Sequence, residues 1–115
     1  MSDKMSNPAI DAAAFAELEA SAGAEFAREL IGTFLEEAPG MLAELRAAFA
    51  AGQADGFRRS AHSLKSNSLT FGALALAAQA RALELQGMPA DATALDRLEA
   101  EYARTAAALT ELRHG

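Results

Sequence analysis

Apolar residues recur every three or four positions along most of this 115-residue chain, the spacing of one face of an α-helix. Gly and Pro divide the pattern into blocks. The first block opens at Ile10-Asp11 and ends near Ala20, before Gly23. Asp11 suits its N-cap, with Ile10 and Phe15 placed to close a hydrophobic staple. The second runs from about Ala24 to Ala51, with Phe26, Leu30, Phe34, Ala38, Leu42, Leu45 and Phe49 on one face. Pro39 interrupts it without shifting its phase, which predicts one long helix kinked near that proline. Gly52 supplies the stop. A third block spans Ala54 to Thr70 and, after Gly72, a fourth spans Ala73 to Gln86. The fifth starts at Asp91 and aligns Leu95, Leu98, Tyr102, Ala106, Leu109 and Leu112. Short joints between long amphipathic helices imply antiparallel neighbours. The expected fold is all-α: an up-and-down antiparallel four-helix bundle with a short additional N-terminal helix. Residues 1–9 read as a flexible N-terminal segment and residues 10–114 as a single domain.

Composition supports the helical reading. The chain holds 31 alanines and 15 leucines, but no valine, two isoleucines and five threonines. Strands draw on β-branched residues and helices on Ala and Leu, so a sheet protein is nearly ruled out. Without cysteine there can be no disulfide, thiolate catalysis or cysteine-ligated metal. A net charge of −6 argues against nucleic acid and anionic membranes as partners. The polar stretch Met1–Asn7 has no apolar run of a targeting or spanning segment.

Charge is unevenly placed. Between Asp55 and Glu84 there is no acidic residue, while Arg58, Arg59, Lys65 and Arg81 make the segment +4 and leave −10 for the rest. At 100° per residue, Phe57, Leu64 and Phe71 cluster about 180–220° from His62. That is the core face, so His62 points outward. Arg58, Arg59, Lys65, Ser66 and Leu69 lie within about 60° of it. A neutral imidazole carries a nucleophilic nitrogen. Flanking cations favour an arriving phosphoryl group, small Ser66 leaves room, and Leu69 adds apolar surface for docking. The residues themselves point to a phosphoryl-accepting histidine on a helix face. His114, in the last turn, reads as an ordinary surface residue.

The run Ala61-His62-Ser63-Leu64-Lys65-Ser66-Asn67-Ser68, then Phe71-Gly72-Ala73 and Leu83-Glu84, resembles histidine-containing phosphotransfer (HPt) domains. The upstream segment Phe34-Leu35-Glu36-Glu37-Ala38-Pro39 through Leu42, Leu45 and Gly52 is similar to the family's preceding helix. The resemblance covers nearly the whole chain from Ile10. It implies a phosphorelay intermediate that takes a phosphoryl group from a receiver-domain aspartyl phosphate and passes it to another receiver aspartate. His62 matches the phosphorylated histidine, with Nε2 the acceptor, and Lys65 the lysine that steadies phosphate charge. Glu84 falls where some members carry a Gln that hydrogen-bonds the ring, which makes it a candidate orienter of the imidazole through Nδ1–H; an ordinary surface carboxylate is its plainer reading. Arg58, Arg59, Ser66 and Leu69 would meet the partner. Ser66 departs from the family pattern, which has glycine there.

The resemblance also implies response-regulator receivers and a hybrid sensor histidine kinase as partners. It implies no autonomous kinase activity, no cofactor of the chain's own, Mg²⁺ on the partner receiver, a monomer and a cytoplasmic location. A helical adaptor that binds receivers without taking phosphate is the alternative. Sensor-kinase dimerisation domains follow their histidine with an acidic residue, whereas Ser63 follows His62. Carboxylate metal bundles use Glu-x-x-His pairs, whereas Arg59 precedes His62 by three.

Overall fold

The computed structural model describes residues 9–114 and contains five helices. They are α1 (Ala12–Ala22), α2 (Ala24–Ala51), α3 (Ala54–Thr70), α4 (Leu74–Gln86) and α5 (Thr93–His114). Helices α2 to α5 form a closed ring of neighbours: α2 packs on α3, α3 on α4, α4 on α5, and α5 back on α2. Helix α1 lies outside the ring against α2 and α3. This is the expected four-helix bundle with an additional N-terminal helix. The expected flexible N-terminal segment lies almost wholly outside the described residues.

Local chemistry sets the helix ends. Asp11 Oδ2 accepts from the Ala14 N–H at 3.0 Å, one of the donors a helix start leaves unpaired. Ile10 and Phe15, flanking that cap, are both buried. Helix α2 ends in a Schellman turn: Gly52 is left-handed (φ 69°), and the Gln53 N–H reaches back to Ala48 O at 2.9 Å.

Gly72, which ends α3, does more than stop a helix. Its φ of +74° disfavours any side chain. A Cβ there would also lie 2.8 Å from Ala14 Cβ and 3.0 Å from Asp11 O. Its carbonyl accepts from the Asp11 N–H at 2.7 Å. The α3–α4 turn is therefore the seat on which α1 starts, and only glycine fits between them.

The core joins all five helices. Phe34 of α2 stands 5.3 Å from the Phe71 ring and 6.0 Å from Tyr102 of α5, within the range of favourable aromatic pairs. Ile31, Leu45, Phe57, Leu64, Leu76, Leu95, Leu98 and Leu109 are fully buried around them. On the surface Arg46 of α2 bridges Asp96 and Glu99 of α5, each at 2.9 Å.

Three details depart from the sequence reading. Helix α2 does not, being one long helix through Pro39 as expected. The proline removes one hydrogen bond, but it faces outward while Ala38 and Leu42 stay packed inside. Helix α5 begins at Thr93 rather than Asp91, whose side chain instead accepts from the Thr93 N–H at 2.9 Å. Ala73 caps α4 rather than opening it. Finally, the inner faces of α2 and α5 differ from the expected stripes at a few positions. Phe26 is 50% exposed and Leu112 38%, whereas Ala27, Glu101 and Thr105 are buried. Buried Thr105 and Glu101 are satisfied within α5: Thr105 Oγ1 donates to Glu101 O, and the Glu101 carboxylate pairs with Arg104.

Candidate functional site

Phe57, Ala61, Leu64 and Ser68 turn one face of α3 into the core. Ser68 enters it without an unpaired hydroxyl, because its Oγ donates to Leu64 O at 2.7 Å. His62 stands on the opposite face with its side chain 56% exposed. Arg58, Arg59, Ser66 and Leu69 are exposed on the same side. The α3 half of the expected site is thus assembled as the helix wheel placed it.

Glu84 departs from the plainer reading of it as a surface carboxylate. Helix α4 packs along α3 and brings its side chain, only 17% exposed, against two α3 residues. Its Oε2 lies 2.7 Å from His62 Nδ1 and its Oε1 lies 3.1 Å from Lys65 Nζ. The first contact is a hydrogen bond. The second is an ion pair outside hydrogen-bond geometry, so Oε1 has no formed hydrogen bond. Together, the His62 hydrogen bond first and the Lys65 contact second, they hold the Glu84 carboxyl below its usual pKa.

That charge state decides the tautomer. An ionised carboxylate can only accept, so His62 Nδ1 carries the proton. In the neutral ring the lone pair then sits on Nε2, the nitrogen turned away from Glu84. The ring is oriented, with its free lone pair at one atom.

The basic patch is smaller than the linear count suggests. Glu84 faces Lys65 across the helix pair, and Asp55 Oδ1 takes Arg58 Nη2 at 3.2 Å. Arg58, Arg59, His62, Ser63 and Glu84 line a shallow open hollow at the imidazole. Ser63 was missed as a lining residue; its place 100° round the helix from His62 was the available signal.

The fold thus presents an exposed, carboxylate-held histidine on one face of a four-helix bundle. The chain belongs to the Hpt domain family, whose profile matches residues 29–108. It is similar in structure to histidine-containing phosphotransfer protein B (HptB) from Pseudomonas aeruginosa PAO1, with a TM-score of 0.84 and 27% identity. The match covers 93% of this chain and 96% of that one. A comparison with curated proteins gives no match. The chain is thus a histidine phosphotransfer intermediate of phosphorelay signalling, a family that works with receiver domains and kinases. Among the described residues, no helix is long and apolar enough to cross a membrane.

Proposed function

We propose that His62 is the phosphoryl acceptor, attacking through Nε2. The observation that carries this is the 2.7 Å contact between His62 Nδ1 and Glu84 on a ring that is otherwise exposed. The Nε2 lone pair attacks the phosphorus of a receiver's aspartyl phosphate. A P–N bond forms, the P–O bond to the aspartate breaks, and the carboxylate leaves with the electron pair. The ring keeps its Nδ1 proton and becomes positively charged. Glu84 stabilises that charge through the same hydrogen bond. Transfer to a second receiver aspartate reverses these steps.

Lys65 supplies the other charge. Its ammonium is one turn from His62 on the same helix, held to Glu84 by an ion pair rather than a formed hydrogen bond. As the phosphoryl group arrives, Lys65 turns to its oxygens while Glu84 keeps the ring. Arg58, Arg59, Ser66 and Leu69 face the incoming receiver. Mg²⁺ belongs to the receiver's acidic pocket, not to this chain. The protein works as a cytoplasmic monomer without kinase activity of its own, loaded through a hybrid sensor kinase.

Incubation with a phosphorylated receiver and Mg²⁺ should place acid-labile, base-stable phosphate on the protein. His62→Gln should abolish that labelling and keep the far-UV helical signal, since His62 supports no core contact. Normal labelling of the variant would refute the assignment. Receiver binding without any labelling of the parent would make the protein an adaptor instead.

A further inference from the structure

Every partner residue considered so far lies on α3, but the bundle offers a second wall beside the histidine. An open groove of about 580 Å³ runs along the seam between α2 and α3. Met41, Glu44 and Ala47 of α2 form one side, and Gly56, Arg59 and Ser63 of α3 the other. Its depth comes from small residues. A Cβ at Gly56 would sit only 3.7 Å from Ala48 Cβ, so the two helices nearly touch at the floor. Glu44 and Arg59 are both exposed at its edges, and neither is in an ion pair among the described residues.

The groove is continuous with the histidine's hollow, because Arg59 and Ser63 line both. Its far end at Gln53, just before α3, is nine residues, about 14 Å, from His62. A partner that brings an aspartate into bonding reach of Nε2 covers more than that. A standard interface hides about 800 Å² per partner, a disc roughly 16 Å in radius. The groove falls inside such a footprint. On the α4 side of His62, by contrast, Glu84 and Lys65 already fill the space.

We infer that the α2–α3 groove is the specificity surface for the receiver domain, seating an apolar side chain of the receiver against Met41 and Ala47. Glu44 selects a basic receiver residue and Arg59 an acidic one. Opposite charges on the two walls of a groove fix the orientation of a docked surface and penalise partners with the charges exchanged. This rests on the reading of His62 as acceptor for its chemistry, but the groove can be tested apart from it.

Two exposed substitutions, Glu44→Arg and Ala47→Trp, separate docking from chemistry. Phosphoramidate is a small phosphoryl donor that needs no docking surface. With it, both variants should label at the parental rate. With the best phosphorylated receiver of the source organism, kcat/KM should fall by about tenfold or more, as when a matched interface charge becomes a repulsive one. Far-UV circular dichroism verifies that both remain folded. Parental kcat/KM in both variants overturns the inference. An independent reading comes from amide NMR shifts on titration with the beryllofluoride-activated receiver. Met41, Ala47 and Gln53 should be among the residues that shift, and a footprint that spares all three also overturns it. Failure of both donors to label the parent would refute the acceptor reading alone, since the NMR footprint decides the groove without phosphotransfer.

Discussion

Glu84 and His62 stand 22 residues apart in the chain and 2.7 Å apart at Oε2 and Nδ1. The contact joins two helices and sets which ring nitrogen is free. Removing it should therefore change the chemistry more than the fold. Glu84→Ala should lower the phosphotransfer rate by about tenfold or more, whereas Glu84→Gln, whose carbonyl still accepts from Nδ1–H, should lose less. ¹⁵N NMR of the imidazole should report the Nδ1–H tautomer in the parent and a mixture in the alanine variant. An unchanged tautomer in Glu84→Ala would remove Glu84 from the positioning role.

The same carboxylate makes a pH-dependent contribution to stability. Its pKa is lowered by the His62 hydrogen bond and the Lys65 contact. A carboxyl with a depressed folded-state pKa contributes stability above its unfolded value, and loses it as pH falls through the folded one. The parent should therefore lose this contribution as pH drops below about 4.5, the ordinary value for the group. Urea melts of parent and Glu84→Gln should converge on the acid side. A constant gap between them down to the lowest pH would contradict the assignment.

Lys65 should matter after the phosphoryl group arrives rather than before. Lys65→Ala should slow transfer by about tenfold, equivalent to ~1.4 kcal/mol of transition-state stabilisation. The His62 tautomer should stay as it is in the parent, because Glu84 Oε2 still holds Nδ1. Equal transfer rates would reduce Lys65 to a surface residue paired with Glu84.

Gly72 provides a test of the fold. Gly72→Ala combines an unfavourable left-handed backbone with a Cβ pressed onto Ala14 and Asp11. A loss of about 2–4 kcal/mol is expected from the two effects together. Denaturant unfolding measures it, and a loss under about 0.5 kcal/mol, the range of neutral surface changes, would mean that α1 does not need this seat.

Much of the architecture was legible in the chain because helix formation is local. Apolar spacing located all five helices, Asp11 and Gly52 marked ends that the structure realises with named hydrogen bonds, and the wheel turned His62 outward. The errors fall where tertiary packing overrides a local rule. Asp91 is not one of them, since its carboxylate accepts from the Thr93 N–H where α5 starts, although the helix begins two residues further on. Phe26 and Leu112 fit the apolar spacing, yet packing buries the neighbouring Ala27 and Leu109 and leaves these two partly exposed. Glu101 and Thr105 break a polar–apolar pattern because their polar atoms are satisfied inside α5 itself.

The sequence by itself determined an acidic, all-helical bundle with one outward histidine among cations, since periodicity and composition act within a helix. Tertiary structure alone decided what faces that histidine. The register of α4 against α3 is set by interdigitating side chains across the pair, and no spacing within either helix encodes it. That register puts Glu84 on Nδ1 and beside Lys65, turning a basic patch into a partly neutralised site with a single free nitrogen. The packing of α2 on α3 likewise opens the groove at Met41 and Glu44. Its floor is lined by small Ala48 and Gly56, which keep the space above them open.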